Sequence, residues 1–157
     1  KTSLVDLKHI IEQTIALNQS IHPQKTAQYG LQLNTEFGDN LPASNASAPE
    51  LQQVLLNLLR NAKQALQNQE IQNPSIWVRA YAQNNQLVIE VQDNGPGMAD
   101  TVRQHIFEPF FTTKEVGSGT GLGLSVSYFI ITERHQGTID VKTAPGKGSN
   151  FIIKLPL

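Results

Sequence analysis

Cysteine is missing altogether from the 157-residue sequence, which excludes disulfides, thiol catalysis and thiolate metal sites together. Long apolar runs are missing too: none approaches the roughly 18 residues of a membrane helix, and no signal-peptide pattern opens the chain. We therefore expect no membrane contact by this domain and a cytoplasmic location, with the full-length protein free to be anchored in the inner membrane. Neither sign of charge dominates. Twelve Lys and Arg are scattered among 13 Asp and Glu, for a net charge of -1, which argues against a nucleic-acid surface. The four histidines, His9, His22, His105 and His135, fall at no metal-ligand spacing. What is present suits a globular chain: 39% hydrophobic against 16% charged residues. At this length a domain buries roughly 68–70% of its unfolded surface, so residues 1–157 are read as one domain with a real core. The first residue is Lys1 rather than Met, so the sequence reads as a piece of a longer chain.

Leu4, Leu7, Ile10, Ile11, Ile15 and Leu17 are spaced for an amphipathic helix, and Tyr29 to Phe37 alternates as a strand. Gly38 to Pro49 reads as a loop with room for a short edge strand. Pro49 and Glu50 then open a helix in the favoured way, Pro in the first turn and a carboxylate at the positive end of the macrodipole, running to about Leu66. Two strands follow, Ser75 to Ala82 and Gln86 to Gln92, joined at Asn84-Asn85. Met98 to Gly117 is irregular, and a long irregular segment inside a compact domain is usually functional, so residues 99–118 are read as a lid. Leu122 to Arg134 predicts a helix. Thr138 to Thr143 and Asn150 to Leu155 predict a closing hairpin. The order implies an α+β two-layer sandwich, a mixed, mainly antiparallel sheet with helices on one face.

Four segments carry polar residues that packing alone does not demand. On the Glu50 to Leu66 helix, Leu51, Val54, Leu55, Leu58, Ala62, Ala65 and Leu66 form the core stripe, and Asn57 and Asn61 sit one turn apart at its border. Asn is a poor interior helix former, so the pair is either a neutral oxygen ligand set for Mg²⁺ or a solvated helix edge. Asp93-Asn94-Gly95-Pro96-Gly97 ends a strand in a carboxylate, suited to an exocyclic amine such as that of adenine; it is equally an ordinary turn. Gly119-Thr120-Gly121-Leu122-Gly123-Leu124 enters a helix, whose free N–H groups and dipole attract phosphate. The dinucleotide pattern fails at its last position, Leu122, and lacks a βαβ context, while no Lys-Ser/Thr follows the glycines for a Walker loop. Between the clusters lies Phe107-Glu108-Pro109-Phe110-Phe111-Thr112-Thr113-Lys114, either a lid anchored by aromatics with Lys114 reaching a phosphate, or a packed loop with a solvated Lys.

These elements, in this order, resemble the catalytic ATP-binding domain of bacterial sensor histidine kinases, in the superfamily (GHKL, Bergerat fold) that also holds gyrase, the ninety-kilodalton heat-shock chaperone and the mismatch-repair ATPase. Leu55 to Ala62 looks like the N box, Asp93 to Gly97 the G1 box, Phe107 to Lys114 the F box, and Gly119 to Leu124 the G2 box; Gly146 to Phe151 resembles the closing glycine motif. The resemblance spans about residues 45 to 157. It implies a protein-histidine kinase that binds ATP and Mg²⁺. Asp93 would bind the adenine amino group, with Gly95, Gly97 and Met98 lining the pocket and Ser149 reaching the base through water. Asn61 would hold Mg²⁺, Asn57 would position the phosphates, and Gly119, Thr120, Gly121, Leu122, Gly123 and Leu124 would receive the triphosphate. Gln64 stands where many relatives carry a cation, which leaves that role to Lys114.

The resemblance also implies partners: a histidine-bearing dimerisation domain of the same protein, to whose last helix residues 1–20 would belong in part, and a response-regulator receiver domain. No segment here matches the acceptor; His9 precedes Ile10 and Ile11 without the neighbouring acid. Competing readings are an ATP hydrolase of the superfamily, a serine kinase, and a nucleotide-sensing module without transfer. Hydrolases carry Glu four residues before the magnesium Asn. Asn57 occupies that place, and an amide cannot act as a base.

Overall fold

The computed structural model describes residues 2–21, 30–67, 71–111 and 123–157. A short strand β1 (Ser3–Val5) leads into helix α1 (Leu7–Ile21), followed by β2 (Gln32–Phe37), β3 (Ser44–Ala46) and helix α2 (Ala48–Gln67). Then come β4 (Ser75–Gln83), β5 (Gln86–Asp93), a single helical turn α3 (Asp100–Arg103), helix α4 (Gly123–Phe129) with a π-helical extension (Ile130–Arg134), and the hairpin β6 (Thr138–Thr143) and β7 (Ser149–Pro156).

Five strands form one sheet in the order β2-β4-β5-β7-β6, antiparallel except where β2 runs parallel to β4; β1 and β3 make a separate antiparallel pair. Alternation places Ile76, Val78 and Ala80 of β4, Leu87, Ile89 and Val91 of β5, and Phe151, Ile153 and Leu155 of β7 on the inner face, all buried. Helices α1, α2 and α4 cover that face, so the sheet has one packed side and one polar side. On the polar side Arg79 pairs with Glu36 at 2.9 Å and donates to Gln92 at 2.6 Å, while Asn150 and the Tyr81 hydroxyl donate to Glu90. The two-layer α+β sandwich read from the sequence is the architecture found.

Four boundaries differ from expectation, each for a local reason. Leu4 lies in β1 and is 76% exposed, because the Asp6 carboxylate accepts the His9 N–H and starts the helix only at Leu7. The strand expected from Tyr29 begins at Gln32, where its N–H meets the Pro74 carbonyl; Tyr29 lies outside the described residues. Helix α2 begins one residue before Pro49, capped by Ser47, whose hydroxyl accepts the Glu50 N–H and whose carbonyl accepts that of Leu51. The helix expected to run unbroken to Arg134 widens into a π-turn at Ile130, and the freed Ile130 carbonyl accepts a hydrogen bond from His135 Nδ1. Within the irregular segment, Asp100–Arg103 closes one helical turn through its own Asp100–Arg103 pair at 2.6 Å.

Candidate functional site

Strand β5 delivers Asp93 to the inner face of the sheet, where its side chain is 2% exposed. One carboxylate oxygen accepts the Gly95 N–H at 2.8 Å, and the Ser149 backbone also donates to the group. Burial dominates, however, and pushes the carboxyl up from 3.8 to about 6. The turn after Asp93 lies directly on the β6–β7 hairpin. A Cβ on Gly97 would come 2.0 Å from the Ala144 carbonyl oxygen, and one on Gly148 would come 2.1 Å from that of Asp93; both residues have positive φ. Thr143 ties the two segments together: its hydroxyl accepts the Met98 N–H and bonds the Gly148 carbonyl and Ser149 hydroxyl, each at 2.9 Å. Asn94 fastens the other side, accepting the Ser75 N–H at 2.7 Å.

Opposite Asp93, the periodicity of α2 brings Asn57, Asn61 and Gln64 onto its half-buried border. Ala65 of the same face reaches Gly95: a Cβ there would lie 3.3 Å from that of Ala65. Helix α4 starts against Asn57, whose amide donates to the Gly123 carbonyl at 3.2 Å and to the Ser127 hydroxyl at 3.3 Å. Leu124 and Met98 are half-buried against the core. Two further contacts hold the far ends of these helices together: His135 Nε2 accepts the Ser47 N–H at 3.1 Å, and Arg134 pairs with Glu50 at 2.6 Å.

Phe107 packs on Tyr128 of α4, ring centroids 5.3 Å apart, and edge-on against Phe151 of β7 at 6.3 Å. Phe107 is thus packed on the core, which both readings of the aromatic segment require, whereas Phe110 projects 73% exposed with a positive φ. Of the expected site residues, Asn57, Asn61 and Gln64 lie along one border of α2, with Asn57 against Gly123 at the start of α4, while Asp93, Gly95, Gly97, Met98 and Ser149 meet at the β6–β7 hairpin and Leu124 packs on the core. Lys114, Gly119, Thr120, Gly121 and Leu122, with most of the expected lid, lie outside the described residues. Thr143, Asn94 and Ser127 give no signal in the sequence, because their roles depend on partners distant in the chain. Lys63 gives none either: it is buried on α2 two residues after Asn61, where desolvation lowers its ammonium from 10.5.

The arrangement suits a nucleotide. A carboxylate buried beside two backbone donors asks for a further donor such as an exocyclic amine, and the close approach at Gly95 leaves no space for a side chain in its place. No group of three or more His, Cys, Asp or Glu suited to a metal occurs among the described residues. No helix among the described residues is long and apolar enough to cross a membrane.

Residues 46–157 match the model of a family described as histidine kinase-, DNA gyrase B-, and HSP90-like ATPase. Among curated proteins, the chain is similar to the signal transduction histidine-protein kinase AtoS of Escherichia coli K12, 39% identical over 153 residues, which cover 98% of this chain and 24% of AtoS. Among solved structures it is similar to the nucleotide-free catalytic domain of histidine kinase ThkA (TM-score 0.81, 27% identity, 99% of this chain and 97% of that one). It is also similar to full-length ShkA in complex with AMPPNP (TM-score 0.83, 25% identity, 99% of this chain and 31% of that one). The chain thus spans about a quarter of the length of AtoS.

Proposed function

Since the chain belongs to the histidine kinase-, DNA gyrase B-, and HSP90-like ATPase family, we propose that it is the ATP-binding catalytic domain of a sensor histidine kinase, presenting the γ-phosphate of MgATP to a histidine on a dimerisation domain of the same protein for relay to a response regulator. The observation that carries the reading is Asp93, a carboxylate sealed from water whose burial stays unfavourable with its two backbone donors until a further donor arrives. The adenine amino group is that donor, with Met98, Gly95 and Gly97 around it and Ser149 behind.

Asn61 holds Mg²⁺ through its amide oxygen, Asn57 positions the phosphates, and Gln64 lies a turn further on. The amides from Gly119 to Leu124 receive the triphosphate, with Lys114 as the added cation. When bound, Mg²⁺ neutralises phosphate charge. Transfer of a phosphoryl group is chiefly positioning, so this chain's part is to fix the nucleotide and exclude water while the nucleophile comes from outside. With an amide at Asn57 no resident base activates water, which separates the reading from that of a hydrolase. We place the domain in the cytoplasm, where ATP and receiver domains are found.

The test is labelling of the full-length protein with γ-labelled ATP. Acid-labile phosphate is expected; an acid-stable product would instead favour a serine kinase, and no product a sensing module. Calorimetry with MgATP should give saturable binding that Asp93→Ala abolishes.

A further inference from the structure

Asn57 and Asn61 share the border of α2, yet the hydrogen bonds of Asn57 set it apart. The NH₂ of its carboxamide faces helix α4, with the Gly123 carbonyl at 3.2 Å and the Ser127 hydroxyl at 3.3 Å as its acceptors. Ser127 is 0% exposed, and its own O–H donates to the same Gly123 carbonyl at 2.9 Å. The three groups close a triangle with defined roles. Gly123 offers only a carbonyl, so the edge of Asn57 facing it must be the NH₂; reversing the amide would set two acceptors against each other. The Ser127 proton is then spent on Gly123, which leaves its hydroxyl oxygen to accept from the Asn57 NH₂. The Asn57 oxygen takes no part in this triangle. It stands at the mouth of α4, about where a Cβ on Gly123 would meet it, 4.0 Å away.

We infer that Ser127 is a positioning residue: with the Gly123 carbonyl it fixes the Asn57 carboxamide in one orientation, NH₂ on α4, so that the first asparagine of α2 leaves its oxygen to the nucleotide and its cation. That oxygen accepts from a donor or a cation, so Asn57 positions the phosphates by way of the cation that accompanies them. This role rests on the nucleotide-site reading of the pocket. It adds that Asn57 contributes to binding through the cation that accompanies the phosphates, and that α4 sets its polarity before any ligand arrives. Four residues separate Gly123 from Ser127, one helical turn, so α4 must be wound for the triangle to exist. Order at the start of α4 and the orientation of Asn57 are a single event.

Ser127→Ala removes one of the two acceptors while favouring the helix. Calorimetry should show ATP affinity in the presence of Mg²⁺ weakened about three- to tenfold, the range for one neutral hydrogen bond, with affinity in EDTA changed less than about twofold. In an Asn57→Ala background, Ser127→Ala should have no further effect on the Mg²⁺ dependence. In the ligand-free protein, the Asn57 side-chain amide resonance should shift and exchange faster with solvent in Ser127→Ala, and Ser127→Thr, which keeps the hydroxyl, should restore slow exchange. Equal losses with and without Mg²⁺, a loss undiminished in the Asn57→Ala background, or unchanged Asn57 exchange would overturn the inference. Absence of MgATP binding by the unsubstituted protein would defeat the nucleotide reading itself, a separate outcome.

Discussion

Replacing Asp93 by Asn should stabilise the ligand-free protein at neutral and alkaline pH while abolishing its affinity for ATP. The carboxyl rises from 3.8 to about 6 because it is taken out of water, and the Gly95 and Ser149 donors recover only part of that loss. A tenfold change in proton affinity is worth about 1.36 kcal/mol, so the ionised group costs the fold about 3 kcal/mol above pH 6. The folded value lies above the unfolded one, so the contribution is fully present below pH 3.8 and is lost as pH rises through about 6. Asn stands in for the neutral carboxyl: its oxygen still accepts the Gly95 N–H, and no charge is buried. At pH 8 the variant should melt about 6–12 °C higher, at about 2–4 °C per kcal/mol for a domain of this size. Differential scanning fluorimetry of both proteins from pH 4 to pH 8 checks it, the difference cancelling groups such as Glu90 and Asp100, whose lowered values act in the opposite sense. A variant less stable than the parent at pH 8, or a gap that does not vary with pH, would refute the reasoning.

Gly97→Ala should destabilise by several kcal/mol, since its Cβ would lie 2.0 Å from the Ala144 carbonyl oxygen at a positive φ; urea melts would read the loss, and a fully stable variant would contradict the turn geometry. Neighbouring residues at the end of α4 should behave very differently. His135→Leu leaves the Ser47 N–H and the Ile130 carbonyl unpaired and should cost about 2–4 kcal/mol, whereas Arg134→Ala, breaking an ion pair in which the arginine is largely solvated, should cost less than about 1 kcal/mol in the same melts. Phe107→Ala should cost about 2 kcal/mol, below the value for a fully buried ring, because Phe107 contacts Tyr128 and Phe151 from a half-buried position.

Periodicity made most of the fold legible. Alternation marked β4, β5 and β7 because one face of each is packed against helices, and the 3.6-residue stripe marked α2 because only one side of it meets the core. Edge strands were harder. In β2 no residue is buried, so its polar and apolar positions do not sort cleanly, and its parallel pairing with β4 is a property of topology that no local pattern encodes. Leu4 fitted the helical spacing of α1 by coincidence; the capping carboxylate of Asp6 decides the boundary. Of the site, Asn57, Asn61 and Asp93 stood out because polar residues at a core border need a reason. Thr143 and Ser127 did not, since a serine or threonine at such a position is unremarkable until a partner 45 or 70 residues away is placed beside it. The glycines after Asp93 illustrate the same limit. The resemblance made Gly95 and Gly97 pocket-lining residues, and the structure gives Gly97 a packing reason against the β6–β7 hairpin as well.

Two features of the ligand-free pocket are unfavourable on their own and consistent with each other. Asp93 is ionised at neutral pH in a place that opposes its charge, and the Asn57 NH₂ faces α4, which leaves its oxygen for a bound partner. One lies on the sheet and the other on α2, and on the proposed reading they receive the two ends of one molecule: a donor at Asp93, a cation at Asn57. An adenine nucleotide with its metal has that polarity along its length. A purine alone would satisfy Asp93 and leave Asn57 without its cation; a metal polyphosphate alone would do the reverse. Adenosine should therefore recover only the part of the binding free energy that Asp93→Ala removes, and its affinity should not respond to Mg²⁺, whereas that of ATP should. Calorimetry of the two ligands with and without the metal separates these contributions, and an adenosine affinity that rises with Mg²⁺ would show that the two ends do not act independently.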